Sequence, residues 1–293
     1  MPKIIVIVGP TGVGKTKLSI SLAKKYNGEI INADSTQVYK DLNIGTAKVT
    51  EEEKEGVVHH LLSFVNPNDA YTVYDYQKDG RKAIDDILAL NKTVIIVGGS
   101  GLYIKALLYD YEFKDESKQI SYEMYTDEEL YNKLKEIDPE TSVAKNNRRR
   151  IERALNFYKE NGFPISMKDG KNKLLYEATF IGLTADRDKL YERIKRKTEI
   201  MFENGLLEEV KNLYDNKIKG PIVYSAIGYK ELYNYFDHKC SLEEAISEIK
   251  SNSTSYAKRQ FTWFNNQMNV TWFQVDFNNF DKTIKEVENY LNS

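Results

Sequence analysis

The sequence is poor in cysteine and histidine, has no long apolar run and carries almost no net charge, and each lack narrows what the protein can be. Cys240 is the one cysteine in 293 residues. It cannot form an internal disulfide, as expected in a reducing cytoplasm, and its plain reading is a small residue at a helix boundary. With three scattered histidines beside it, a Cys/His zinc cluster is excluded. No apolar stretch approaches the roughly 20 residues of a membrane span, so no membrane partner is expected. Met1-Pro2-Lys3 runs straight into an apolar segment without the pattern of a secretory signal. There is no internal repeat and no low-complexity linker. A net charge of −2 argues against nucleic acid when taken alone, but the distribution is uneven. Arg148-Arg149-Arg150 with Arg153, then Arg193, Lys195, Arg196 and Lys197, and later Lys258-Arg259 form basic clusters. Each is open to two readings, a solvated helix face or a surface for phosphates.

What the chain does have is a phosphate-binding signature. Gly9-Pro10-Thr11-Gly12-Val13-Gly14-Lys15-Thr16 matches G-x-x-x-x-G-K-[ST], follows the apolar run Ile4-Ile5-Val6-Ile7-Val8 and precedes a helically spaced segment from Lys17. A strand, a glycine-rich turn and a helix N-terminus bring several backbone N–H groups and the positive end of a helix dipole onto one anion. Lys15 supplies a point charge, and the Thr16 hydroxyl can hold Mg²⁺ or a phosphate oxygen. The motif specifies a pyrophosphate or nucleotide without saying which.

The wider pattern predicts an α/β fold, a P-loop NTPase-like parallel sheet flanked by helices. Strands are expected at 3–8, 29–33, 93–97, 177–183 and 270–275, with helices at 15–26 and 73–90, long helices over 186–265 and a last one at 281–291. Residues 110–176 read instead as short, highly charged helices, including 128–137 and 148–159, closed by the turn-rich run 168–172. The expected organisation is a core domain of 1–109 and 177–293 interrupted by a helical insertion domain at 110–176. A monomer is expected. Parallel sheets place ligands at the C-terminal strand ends, where Gly9–Thr16, Asp34 and Gly98-Gly99-Ser100-Gly101 all fall.

Asp34 ends the second strand, beside the P-loop in the usual topology. A carboxylate there can hold Mg²⁺ through water, accept a proton from a nucleophile, or simply cap a helix. After Val97 the chain continues Gly98-Gly99-Ser100, where an ordinary NTPase would place the Asp of its second motif. That lack weakens an ATPase reading.

Four further segments occur in order: Gly45-Thr46-Ala47-Lys48, His59-His60-Leu61-Leu62, Gly98-Gly99-Ser100-Gly101-Leu102-Tyr103 and Ala257-Lys258-Arg259-Gln260-Phe261-Thr262-Trp263-Phe264. With the P-loop, Asp34-Ser35 through Tyr39, and Ile227-Gly228-Tyr229-Lys230-Glu231, the ordered set resembles the bacterial-type tRNA dimethylallyltransferases over nearly the whole chain.

The resemblance implies transfer of a dimethylallyl group from its diphosphate to the N6 amine of the adenosine just 3′ of a tRNA anticodon. Its partners would be dimethylallyl diphosphate and the tRNA anticodon stem-loop, and its cofactor Mg²⁺ held by Thr16 and, through water, by Asp34. Lys15, Thr16 and Asp34 would be catalytic, and the P-loop would bind the departing diphosphate rather than a nucleotide. The resemblance assigns tRNA contacts to Asp34, Ser35, Thr36, Gln37, Ser100, Arg149, Arg150, Arg153, residues 225–230, and Lys258, Arg259 and Gln260 within 258–265. Gln37 can pair with an adenine edge and the arginines with phosphates. Trp263 and Phe264 either stack on a base or pack, packing being preferred, and His59 either organises its loop or acts in catalysis. Many relatives carry Gln or Arg where this chain has Ser225, and Asn-Asp near Asn146-Asn147, and the zinc-finger extension of eukaryotic relatives is missing. The rival readings are an adenylate dimethylallyltransferase acting on free AMP, ADP or ATP, a P-loop small-molecule kinase, and a non-catalytic tRNA-binding protein.

Overall fold

A computed structural model of the protein describes residues 3–111, 122–167 and 173–293; the turn-rich run 168–172 lies outside the described residues. Among these, strands β1 (Ile4–Val8), β2 (Gly28–Asn32), β3 (His59–His60), β4 (Thr93–Val97), β5 (Ala178–Thr184) and β6 (Thr271–Gln274) form one six-stranded sheet, all parallel, in the order β3-β2-β4-β1-β5-β6. The helices are α1 (Lys15–Lys25), α2 (Glu51–Lys54), α3 (Val73–Ala89), α4 (Gly101–Leu108), α5 (Asp127–Ile137), α6 (Arg148–Asn161), α7 (Arg187–Glu203), α8 (Leu206–Asp215), α9 (Tyr229–Phe236), α10 (Leu242–Gln267) and α11 (Phe280–Asn292).

The continuous apolar run of β1 is explained by a sheet covered on both faces. Ile4, Val6 and Val8 join a core with Tyr76 and Ile84 of α3, Ile104 of α4, and Leu206, Tyr229 and Phe264 of α8, α9 and α10. Ile5 and Ile7 join a second core with Leu18 and Leu22 of α1, Leu190 and Ile194 of α7, and Val287 of α11. The helical stretch expected over 186–265 resolves into four helices. Its first break falls at Gly205, whose φ of 95° lies in the left-handed region that favours glycine.

Asp34 follows β2, but β2 is not the neighbour of β1. Each pairs with β4, which lies between them. Val94, Ile95 and Ile96 are wholly buried and suit that central position, whereas β2 carries Glu29, which is bonded to Lys92 and to His60. The short β3 has no counterpart in the expected strands, because a two-residue strand has no periodicity to read.

The chain divides into two compact units, Met1–Tyr109 with Leu174–Ser293, and Asp110–Lys173. The return to the first unit comes at 174 rather than the expected 177. The Leu175 N–H donates to Leu108 O at 2.8 Å, and Tyr109 pairs with Leu174 in an isolated bridge. In the second unit α5 and α6 pack through Leu130, Leu134, Ile151, Ala154 and Leu155. A capping box between Thr126 and Glu129 starts α5.

Candidate active site

The P-loop bends from β1 into α1 through Gly14, whose φ is 105° and which offers α1 no side-chain cap. A Cβ there would lie 2.4 Å from the Phe280 ring, so glycine is required for space as well as for conformation. The first N–H groups of α1 are thereby left for an anion. Lys15 Nζ donates to Gly9 O and Pro10 O, both at 2.9 Å. Part of Lys15 faces the cavity, yet protein crowds its ammonium, and this desolvation pushes its pKa down to about 8 against the opposing pull of Asp34. Two cations of α7 complete this end. Arg193 Nε donates to Gly12 O at 2.9 Å and its guanidinium lies 4.9 Å over the Phe277 ring. Lys197, its pKa lowered by burial, faces Asp34 and Arg193.

Asp34 is set by a tight local network. The buried Asn32 side chain accepts from the Asp34 N–H at 3.1 Å and donates to Asp34 O and Leu61 O. The Asp34 carboxylate accepts from the Thr36 N–H at 3.0 Å and the Thr36 hydroxyl at 2.7 Å through one oxygen, Oδ1. The Gly98–Gly101 loop is joined to this turn: Ser35 N–H donates to Ser100 Oγ at 2.9 Å, and Ser100 N–H to Ala33 O at 3.1 Å. Gln260 of α10 then joins that loop to the P-loop. Its Oε1 accepts from the Thr11 N–H at 2.9 Å and its Nε2 donates to Gly99 O at 3.1 Å. Tyr256, one turn earlier, lies beside Ser100, Gln260 and Asp34, and burial pushes its pKa up to about 12. Thr11, Lys15, Asn32, Asp34, Thr36, Arg193, Lys197, Tyr256 and Gln260 line a single cavity of about 1340 Å³.

The Gly45-Thr46-Ala47-Lys48 segment forms another wall of the cavity. Gln37 Nε2 donates to Thr46 O at 3.0 Å and Ala47 O at 3.4 Å. Lys48 Nζ is bonded to Tyr39 O and Asn43 Oδ1, and desolvation lowers its pKa to about 8. His59 also lines the cavity. Its Nδ1 lies 2.9 Å from Val57 O, and burial lowers its pKa.

Lys15, Thr16, Asp34, Ser35, Thr36, Gln37, Arg259 and Gln260 thus come to one cavity, with Ser100 hydrogen-bonded to its Ser35 edge. Gln260 is 5% exposed and each end of its amide is engaged within the protein, so it ties the P-loop to the Gly98–Gly101 loop. Lys258 and Arg259 are exposed, over the Tyr191 and Tyr256 rings respectively. Phe264 is wholly buried, and Trp263 meets it edge-on and covers Gly101, so both aromatics pack. The Ser225 hydroxyl donates to Pro221 O at 2.9 Å.

In the second unit Arg149, Arg150 and Arg153 are exposed on α6. Arg148 differs from them. It holds Tyr122 O, Tyr125 O, Asp127 and Glu152.

Sequence reasoning did not assign Arg193, Lys197 or Tyr256 to the site. A signal for the first two existed: they lie four apart in a noted basic run, with the apolar Leu190 and Ile194 marking the inward face of the same helix. Tyr256 carries no such signal, because Asp34 and Ser100, beside which it lies, are distant in the chain.

The IPP transferase family profile matches residues 37–267. The tRNA dimethylallyltransferase of Anoxybacillus flavithermus is 48% identical over 298 residues, covering 99% of this chain and 96% of that protein. Among solved structures, the full-length tRNA isopentenylpyrophosphate transferase of Bacillus halodurans superposes with a TM-score of 0.77 at 41% identity, covering 100% of this chain and 96% of that one. A eukaryotic dimethylallyltransferase described as acting on tRNA superposes with a TM-score of 0.81 at 30% identity, covering 98% of this chain and 78% of the other. With the family profile over most of the chain and relatives this similar along nearly its full length, the chain belongs to the IPP transferase family of tRNA dimethylallyltransferases.

Proposed function

We propose that the chain transfers the dimethylallyl group of dimethylallyl diphosphate to the N6 amine of the adenosine 3′-adjacent to the tRNA anticodon, releasing diphosphate. The observation that carries the reading is the placement of Asp34 and Lys15 in one cavity, a proton acceptor and an anion-binding cation facing each other. The N6 lone pair attacks the allylic carbon, the C–O bond to diphosphate breaks, and the amine proton passes to Asp34, a general-base role of about 10²–10⁴ in rate. The negative charge that develops on diphosphate meets the α1 N-terminus, Lys15, Arg193 and Lys197. The last two supply charge that Ser225 cannot.

The donors suit Mg²⁺. The Thr16 hydroxyl and the Asp34 carboxylate are hard oxygen groups beside a phosphate-binding loop, and Mg²⁺ takes only one or two protein oxygens alongside water and phosphates. Among the described residues there is no cluster of three or more His, Cys, Asp or Glu for another metal. When bound, Mg²⁺ would supply further positive charge to the leaving group.

The target base is extruded from the loop to enter the cavity, with Arg149, Arg150, Arg153, Lys258 and Arg259 meeting phosphates. No helix among the described residues is long and apolar enough to cross a membrane. We take the working enzyme to be a monomer in the cytoplasm. Incubation with Mg²⁺ and labelled dimethylallyl diphosphate, in parallel with tRNA, AMP and ATP, tests the reading. Label in tRNA adenosine alone supports it. Label in free nucleotide points to the adenylate enzyme, and ADP release from ATP without transfer points to a kinase.

A further inference from the structure

Glu209 of α8 collects an unusual set of donors for a half-buried carboxylate. The N–H groups of Asn43, Ile44 and Gly45 converge on it at 2.9–3.2 Å, and the Tyr229 hydroxyl donates at 2.6 Å. Consecutive N–H groups turned toward one point form a concave anion cradle, here filled by a side chain of the protein. Tyr229 packs its ring against Gly45, where a Cβ would lie 2.5 Å away, so α8 and α9 together set the loop's path. With the loop's N–H groups turned to Glu209, its next two carbonyls, of Thr46 and Ala47, point at Gln37.

Two carbonyl oxygens accept only from an NH₂ group, so the Gln37 amide has one allowed orientation, and Oε1 is the end left for a substrate. An acceptor presented there takes an N–H of adenine's exocyclic amine. Guanine offers its O6, another acceptor, at the equivalent atom and is repelled.

We propose that Glu209 is a positioning residue for base selection: it fixes the orientation of Gln37 through the Asn43–Lys48 backbone, and so makes the pocket accept adenosine and reject guanosine. This rests on the proposed tRNA reaction with Gln37 at the base edge. Neither Glu209 nor Tyr229 touches the P-loop in this network, so diphosphate binding does not depend on it.

The test measures dissociation constants for two anticodon stem-loop RNAs, with adenosine or guanosine at the target position, alongside transfer to the adenosine RNA. In Glu209→Ala the preference for adenosine should fall by about 5- to 100-fold, the range for one lost polar discrimination. Affinity for a dimethylallyl diphosphate analogue should stay within about twofold, since the P-loop is untouched. Tyr229→Phe, which keeps the ring against Gly45, should lower the preference less and in the same direction, and it carries the test if Glu209→Ala does not fold. In a Gln37→Leu background either change should leave the preference unaltered. An unchanged ratio in the Glu209 and Tyr229 variants, or equal losses with and without Gln37, overturns the proposal. Absence of transfer by the unaltered protein overturns the reaction reading instead.

Discussion

Raising the pH from 7 to 9 perturbs the leaving-group end of the site in a calculable way. Burial holds the Lys15 pKa at about 8, so its protonated fraction falls from about nine-tenths at pH 7 to about one-tenth at pH 9. A bound diphosphate stabilises the charged form and raises that pKa. Binding is therefore strongest below pH 8 and weakens as pH rises through it, by about tenfold between pH 7 and 9. The same linkage makes binding at pH 8 take up about half a proton. Titration calorimetry with a non-transferable dimethylallyl diphosphate analogue, repeated in buffers of different ionisation enthalpy, reads both quantities. Lys15→Met should bind more weakly with no step near pH 8. The reasoning fails if the affinity of the unaltered protein is flat from pH 7 to 9. It fails equally if the step survives in Lys15→Met, which would move it to Lys48 or Lys197, the other cavity cations that burial shifts downward.

Asp34→Ala should reduce transfer by about 10²–10⁴ while tRNA affinity changes little, as judged by single-turnover kinetics beside a binding assay; full activity would remove Asp34 from the base role. Gln260→Ala leaves the Thr11 N–H and Gly99 O without their partner, so unfolding should become easier by about 1–3 kcal/mol in a denaturant titration. Gly101→Ala places a methyl 2.1 Å from the Trp263 ring and should destabilise by about 1–3 kcal/mol through overpacking. Replacing Arg149 and Arg150 by Ala should lower the salt dependence of tRNA binding by about 1–2 in slope, at roughly 0.7–0.9 per phosphate contact; an unchanged slope would move the tRNA surface elsewhere.

Local information made much of this protein legible. The run Ile4–Val8 into Gly9–Thr16 and a helix reads as strand, phosphate loop and helix, because apolar periodicity, glycine conformation and helix capping all act over a few residues. Asp34 and the Gly98–Gly101 segment could be placed at strand ends for the same reason, and ordered motifs along the chain carried the family resemblance. Tertiary structure alone decided which strands are neighbours, with β4 set between β1 and β2. It alone turned Gln260 inward, since Thr11 and Gly99 become its partners only once α10 packs across sequence separations of 249 and 161 residues. Glu209 belongs to the same class. Its chemistry is that of any helix-surface glutamate until folding brings three N–H groups from a loop 164–166 residues away onto its carboxylate. Short-range forces wrote the elements and the phosphate loop into the sequence, and the site's shape came from hydrogen bonds whose partners meet only when the two cores close.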